Sequence, residues 1–461
     1  MSVRLYLALA AGHLTGALSR RLGSGGTVLP GHVVSRLDPG ALRHIVAQIR
    51  LGAAIISGTN GKTTTARMVS QAATSAGLRP IANRSGSNLT SGIVAAAVAH
   101  TSLVGRPLGD VAILEVDEAH VPAVVDAANP RLLALTNVFR DQLDRYGEVD
   151  LIAATWRIAI ERLDPSAVLV LNADDPIVAH LREAAPGRVV TYGVNDEAVG
   201  SPTLPHEADK RLCPACGARL RYTWSYYGHI GHYACAACGW QRPAPDVAVT
   251  QLAFRAGGTT ELTVEQGGTS RRIRVPLPGL YNAYNALAAF AITTTLGIAE
   301  SAAIAAIESF SAVFGRQERV AVGSGELTLA LVKNPVGFNQ VLQALAMGEP
   351  PDLIVIAIND LFADGTDVSW LWDVDFEVLA ESEPRILCTG LRAHDMALRL
   401  KYAGVAEERV VVEPPLGAAV EAALTTARAG GHVAAFPTYT AMLQMRGELQ
   451  RRGCVAPFWE D

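Results

Sequence analysis

Apolar residues fall in two rhythmic blocks along this chain. In the first, compact apolar runs at 53–57, 111–116, 132–136, 167–171 and 188–192 alternate with segments whose apolar positions recur at helical spacing. Short apolar runs bounded by turn residues read as buried strands, and their alternation with helices predicts a parallel, doubly wound α/β sheet. A second α/β block starts near residue 320, with strand candidates at 327–332, 353–358, 385–389, 409–412 and 432–436. It has the length of an ordinary domain. Between the blocks, 195–245 is polar and rich in Pro, Gly and Cys and reads as an insertion. Short strand-like runs follow at 246–276, then predicted helices at 282–296 and 301–311. The expected organisation is a helical lead-in at 1–50, a central α/β domain at 51–318 with an insertion at about 205–245, and a C-terminal α/β domain at 319–461.

The lead-in is broken by Pro-Gly at 30–31 and 39–40. Arg4 followed by LYLALAAGHLTGA has the outline of a short signal peptide, in competition with an amphipathic helix over about 4–22. His13 and the pair Arg20-Arg21 favour the helix.

The most chemically specific segment is GTNGKTTT at 58–65. It follows the apolar run at 53–57, and beyond it Ala66, Met68, Val69, Ala72 and Ala73 keep helical spacing. Strand, glycine loop and helix form the context a phosphate-binding loop requires. Gly58 and Gly61 let backbone N–H groups approach phosphate oxygens without a Cβ in the way, and the helix N-terminus adds positive partial charge. Within the loop, Thr59, Asn60 and Thr64 flank the two chemical residues. Lys62 is placed to reach phosphates, and the Thr63 hydroxyl to hold Mg²⁺. The usual spacing GxxxxGK[ST] demands glycine at 56, where Ile56 stands. The bland alternative is a glycine-rich turn with a chance Lys-Thr pair.

Carboxylates follow at the same predicted sheet edge. VAILEVDEAH at 111–120 ends a strand in Glu115, Asp117 and Glu118, with Glu115 leaving the strand directly and so the preferred metal ligand. The next strand runs into TNVFRDQLDRYGE at 136–148, adding Asn137, Asp141, Gln142 and Asp144.

Together GTNGKTTT, LEVDE, TN-x3-D-x-LD-x-YG, LNADDP at 171–176 and NAYNALAA at 282–289 resemble the Mur ligase superfamily, over about residues 51–340. The resemblance implies a Mur ligase-like α/β central domain with a parallel sheet and phosphate loop, ATP and Mg²⁺ as cofactors, and activation of a carboxylate as an acyl phosphate. It implies Lys62 and Thr63 on phosphates and Mg²⁺, Glu115 as second metal ligand, Asn285 facing adenine with Asn282 nearby, and Arg316 of FGRQER on the nucleotide. Two positions depart from the family pattern. Gln142 replaces a metal-binding histidine, and its carbonyl oxygen remains a suitable Mg²⁺ ligand. Arg157 occupies the neighbourhood of a lysine that becomes carbamoylated in amino-acid-adding members.

Cys213-x2-Cys216 and Cys235-x2-Cys238 have zinc-ribbon spacing, with Gly217 and Gly239 following each pair. Four thiolates with no open position specify a structural Zn²⁺ site rather than a catalytic one. His229 and His232 between the pairs read as bystanders. Ordinary Mur ligases lack such a ribbon.

The C-terminal segments KNPVGFNQ at 333–340 and IAINDLFADGTDVSWLWDVDFE at 356–377 resemble the glutamine-dependent, amidating branch of the superfamily, whose C-terminal domain is Rossmann-like. That resemblance implies amidation of the α-carboxyl of D-isoglutamate in the lipid II stem peptide at the cytoplasmic face of the membrane, with a class I glutaminase as heterodimer partner. The chemistry agrees. Ammonia is made from glutamine by an activated cysteine, and neither Cys388 in RILCTG nor Cys454 in RRGCVAP sits in a G-x-C-x-G elbow. The acidic, aromatic loop at 359–375 suits an interface, and Asp367 of its GxDxSW segment is implied to orient the partner's catalytic histidine. Two other readings stay open: an amino-acid-adding ligase of the folylpolyglutamate synthase kind, and a non-enzymatic, nucleotide-regulated zinc-ribbon interaction protein.

Composition bounds these readings. The chain has 461 residues, 49% hydrophobic and 18% charged, which excludes a disordered protein. A net charge of −5 gives no footprint for nucleic acid, and no run of 18 apolar residues predicts a spanning helix. Four of six cysteines in one pattern fit a reducing compartment.

Overall fold

The computed structural model describes residues 3–21, 28–83, 87–102, 104–140, 149–204, 212–255, 258–311, 316–346 and 348–455. A nine-stranded sheet forms from β1 (Ala53–Ser57), β2 (Pro80–Ala82), β3 (Val111–Glu115), β4 (Leu132–Leu135), β5 (Val168–Asn172), β6 (Val189–Val194), β9 (Val247–Arg255), β10 (Thr259–Gln266) and β11 (Thr269–Val275). Its order is β11-β10-β9-β6-β5-β4-β1-β3-β2, parallel from β2 to β9, with an antiparallel meander at the β11 end.

Every residue of β1 is buried because helices cover both faces of the sheet. Ala54 and Ile56 join one core with the helices Lys62–Ser75 and Leu280–Thr295, while Ala53 and Ile55 point into the other, shared with the N-terminal helices. The period-two alternation of a strand splits AAIIS between two cores, which is why it reads as continuous apolar sequence.

The second sheet has six strands in the order β12-β13-β17-β14-β15-β16: β12 (Arg316–Val322), β13 (Gly325–Ala330), β14 (Leu353–Ala357), β15 (Arg385–Thr389), β16 (Val410–Val412) and β17 (His432–Pro437). Only β12 is antiparallel to its neighbour. It was not among the strand candidates, because RQERVAV carries its charges on the edge of the sheet. Ile354 and Ile356 enter one core of this sheet, and Leu353, Val355 and Ala357 the other.

The insertion forms a two-stranded ribbon, β7 (Arg221–Tyr227) and β8 (Ile230–Ala234). Among the described residues the lead-in forms three helices, Val3–Arg21, Leu29–Leu37 and Ala41–Val46.

Candidate nucleotide, metal and partner sites

Strand order sets the C-terminal ends of β1, β3 and β4 side by side, the edge at which open α/β sheets bind ligands. The loop after β1 threads a narrow passage there. Gly58 has φ +146°, and a Cβ on it would lie 2.1 Å from Thr136 Oγ1. Gly61 has φ +84°, and its Cβ would meet Asn285 Oδ1 at 1.9 Å. Only glycine fits either position. Asn137 holds the loop from the β4 side: Thr59 N donates to its carbonyl (2.9 Å), Asn60 N to its Oδ1 (2.8 Å), and its Nδ2 donates back to Asn60 O (2.9 Å).

Lys62 opens the helix and is buried. Its Nζ lies 2.8 Å from Glu118 Oε2 and also donates to Gly58 O. Burial pulls the Lys62 pKa down, but the charges of Glu118, Asp117 and Glu115 outweigh it, and the ammonium is held protonated. Burial likewise pushes Glu118 up, and Lys62, then Lys333, pull it below the usual carboxylate value. Thr63 Oγ1 donates to Glu115 Oε1 at 2.9 Å. Glu115 is fixed by its backbone: Asn83 Oδ1 accepts from Glu115 N, and Asn83 Nδ2 donates to Glu115 O, both at 2.9 Å. Two cis ligands of an octahedral Mg²⁺ with bonds of 2.0–2.1 Å lie about 2.9 Å apart, so the Thr63–Glu115 pair fits that ion.

Two further residues, from the segment KNPVGFNQ, belong to this site. Asn334 Nδ2 lies 3.2 Å from Asn60 Oδ1, and Asn334 Oδ1 caps Gly337 N at 2.8 Å. Lys333 is close enough for its charge to act on Glu118. The KNP turn after β13 therefore brings the second sheet over the phosphate loop. A basic residue followed by Asn-Pro directly after a strand was the available signal.

Asn285 and Asn282 are buried and bonded to each other at 3.2 Å. Asn285 thus sits against Gly61, at the loop's flank. Arg316 opens β12, opposite Ala330, and its side chain lies outside the described residues. Asp141, Gln142 and Asp144 also lie outside them. Arg157 is on the helix Val149–Glu161, where its charge helps hold His180 below the usual histidine value, after burial as the larger cause.

The four ribbon thiols converge. Cys213 Sγ is 3.7 Å from Cys238 Sγ, Cys216 Sγ is 3.5 Å from Cys235 Sγ, and all four lie within 4.8 Å of one another. A tetrahedron with Zn–S bonds of 2.3 Å has edges of about 3.8 Å, and a disulfide about 2.05 Å; the spacing fits Zn²⁺. Gly217 N donates to Cys213 O (2.9 Å) and Gly239 N to Cys235 O (3.0 Å), both glycines at positive φ, closing two equivalent knuckles. Backbone N–H groups of Cys238 and Ala237 bring the Cys235 thiol down to about 6 against the effect of burial. His229 and His232 stand outside the cluster. His232 Nε2 lies 2.7 Å from Val194 O, and His229 is buried against Asp175 and Phe139. The ribbon hairpin ends on the phosphate-loop side of the molecule: a Cβ on Gly228 would lie 2.9 Å from Phe139 Cε1, and Phe139 N donates to Thr59 Oγ1 at 3.0 Å.

In the acidic loop four of five aspartates have structural partners. Asp360 faces Arg392 (3.6 Å), Asp364 accepts from Thr440 N (2.7 Å), Asp373 pairs with Arg140 (2.7 Å), and Asp375 accepts from Asn339 Nδ2 (3.1 Å). Asp367 is exposed and, among the described residues, accepts only from the nearby Ser369 N, at 2.8 Å. It lines a recess of about 310 Å³ with Trp372, Arg392 and Arg399. Cys388 is buried, and burial pushes its thiol up to about 12, the reverse of an activated nucleophile.

Comparison with known proteins extends these observations. A family model for the Mur ligase middle domain matches residues 56–217, and one for the MurT ligase C-terminal region matches 331–442. The chain is 32% identical to the lipid II isoglutaminyl synthase (glutamine-hydrolyzing) subunit MurT of Streptococcus pneumoniae, over 99% of both chains. It is 33% identical to the corresponding Staphylococcus aureus subunit, over 97% of this chain and 98% of that one. Among solved structures, Mycobacterium tuberculosis folylpolyglutamate synthase complexed with ADP and AMPPCP superposes with a TM-score of 0.60 at 17% identity, covering 98% of this chain and 96% of that one. That likeness concerns the fold alone.

Proposed function

The chain belongs to the MurT family of Mur-type ligases, and from that premise we propose that it is the ligase subunit that amidates lipid II. The substrate group is the α-carboxyl of D-isoglutamate in the stem peptide, the product is D-isoglutamine, and the nitrogen comes from a GatD-like class I glutaminase bound as a heterodimer partner. Work takes place at the inner face of the membrane, where the lipid-linked substrate is reached from the cytoplasm.

The observation that carries this reading is the paired arrangement at the head of the helix Lys62–Ser75: Lys62 with Glu118, Thr63 with Glu115, and the KNP turn of the second sheet closing over them. Gly58, Thr59, Asn60, Gly61 and Thr64 shape a backbone cradle for phosphates, and Asn282 and Asn285 flank it on the adenine side. A substrate carboxylate oxygen attacks the terminal phosphorus of ATP, and the bond to the β-phosphate oxygen breaks, giving ADP and an acyl phosphate. Ammonia then adds to the acyl carbon, phosphate leaves, and a proton is lost from nitrogen to give the amide. Lys62 and the helix N-terminus stabilise charge on the transferred phosphoryl group. Lys333 brings a second cation from the C-terminal side. Mg²⁺, held by Thr63 and Glu115 with Gln142 as a further oxygen donor, supplies charge neutralisation when bound. Zn²⁺ on Cys213, Cys216, Cys235 and Cys238 is structural.

The C-terminal match favours amidation over amino-acid addition, since the family model there is specific to MurT ligases. Exposed Asp367 supports a role as the acid that orients the partner's histidine, because its neighbours Asp360, Asp364, Asp373 and Asp375 are engaged within the chain. Supplying amide-labelled glutamine, ATP, lipid II and the glutaminase tests the reading. Label in the lipid II product is expected; unlabelled lipid II with glutamine consumed would refute it.

A further inference from the structure

The N-terminal helix Val3–Arg21 is apolar on two opposite faces. Leu5, Ala8, Leu9, Gly12 and Gly16 are buried against the protein. A Cβ on Gly12 would lie 2.5 Å from Val34 Cγ2, so this face is sealed onto the helix Leu29–Leu37. At 3.6 residues per turn the other face carries Val3, Leu7, Ala10, Leu14, Ala17 and Leu18. Its four large side chains are 77, 60, 64 and 49% exposed. Arg4 Nε donates to Leu37 O at 2.6 Å, bringing the exposed Leu37 beside the same stripe. Val28 and Leu29 are exposed as well. A helix of a globular protein needs one apolar stripe, toward its core; the second stripe has no use within the described fold.

Charge identifies what covers it. Six arginines and one aspartate fall in the first 50 residues, out of 39 basic and 44 acidic residues in the chain, so the lead-in is +5 and the remainder −10. The one acid, Asp38, is buried and caps Gly40 N, while Arg4, Arg21 and Arg36 are exposed. Exposed leucines flanked by arginines without acids mark a helix that lies in a membrane interface. No helix among the described residues is long and apolar enough to cross a bilayer, so the contact is in plane. A second copy of the chain would bring two +5 segments together and is disfavoured by repulsion.

We propose that this outward face docks the protein on an anionic phospholipid surface, with Val3, Leu7, Leu14 and Leu18 entering the acyl boundary and the arginines meeting headgroup phosphates. The inference rests on charge and exposure, and it deepens the lipid II reading by giving the lead-in the task of holding the site at the membrane that carries the substrate.

Co-sedimentation of the full chain, with its glutaminase present, tests the proposal on vesicles of phosphatidylglycerol with phosphatidylcholine and on phosphatidylcholine alone. Retention on the anionic vesicles that falls with added salt is expected, weakened about tenfold by Leu7→Asp with Leu14→Asp. Arg21→Glu with Arg36→Glu, which leaves the apolar face intact, is expected to lower it too. Equal retention of wild type and both variants would overturn the proposal, as would loss of a dimer in the leucine variant without vesicle binding by the wild type. All three proteins should amidate a short-chain, water-soluble lipid II analogue equally. Anionic vesicle binding with no amidation of either substrate would defeat the lipid II reading and leave the docking surface standing.

Discussion

Lys62 Nζ lies 2.8 Å from Glu118 Oε2, and both side chains are buried. The cation intended for phosphate is thus neutralised within the chain before any nucleotide arrives. Phosphate oxygens must share Lys62 with Glu118, which makes the pair part of the loop's readiness as well as its stability.

Lys62→Ala should lower amidation at least about 100-fold, the scale of losing a group that stabilises transition-state charge. It also strands a buried carboxylate, at a cost of about 3–5 kcal/mol. The double variant Lys62→Met with Glu118→Gln removes that second effect. Recovered thermal stability without recovered amidation is the expected pattern; full activity in either variant would sink the phosphate-loop assignment.

Glu118 has a folded pKa below its ordinary value of 4.5. Its contribution to stability is therefore complete above about 4.5 and is lost as pH falls through the lowered folded value. The stability gap between wild type and Glu118→Gln should narrow as pH falls from neutrality past that point. A gap that stays constant in thermal melts would show that Glu118 is not held ionised by Lys62 and Lys333.

Asp367→Asn should reduce glutamine hydrolysis by the complex about 100-fold or more, since an orienting acid sets the tautomer and position of its histidine. Nucleotide binding by the ligase chain should be untouched. Surviving hydrolysis would transfer the orienting role to another acid of the 360–375 loop.

Cys213→Ser should take zinc from one ion per chain to none. Because the ribbon hairpin packs on Phe139, whose N–H is bonded to Thr59, zinc loss should also weaken nucleotide binding. Calorimetric titration of ATP before and after chelation measures this. Unchanged affinity in a zinc-free chain would make the ribbon independent of the loop.

The site's near half was legible in the sequence because its residues are contiguous with strands. GTNGKTTT leaves β1 and LEVDE leaves β3, so an apolar run followed by polar chemistry marked the sheet edge. The CxxC knuckles were legible because each is a local turn closed by its own glycine. What crosses between sheets was not. Asn334 reaches Asn60, and Lys333 acts on Glu118, only through the packing of the second sheet on the first; Lys-Asn-Pro after a strand marks chemistry there but not what it meets. The pairing of Lys62 with Glu118, and of Thr63 with Glu115, likewise follows from register between β1 and β3 rather than from spacing. The strand β12, which Arg316 opens, escaped because an edge strand needs no continuous apolar run. The outward stripe of the first helix was hidden because leucines on two opposite faces cancel to no net direction.

The central claim is that this chain activates a carboxylate for ammonia supplied by another protein. It is tested most directly by incubating the purified chain alone with ATP, lipid II and an ammonium salt at mildly alkaline pH, and following lipid II by mass spectrometry beside ADP and phosphate. Conversion of acid to amide, one ADP and one phosphate per amide, and no product with free amino acids is the predicted result. Addition of an amino acid to the stem peptide, or ATP bound without turnover even when the glutaminase and glutamine are supplied, would contradict it.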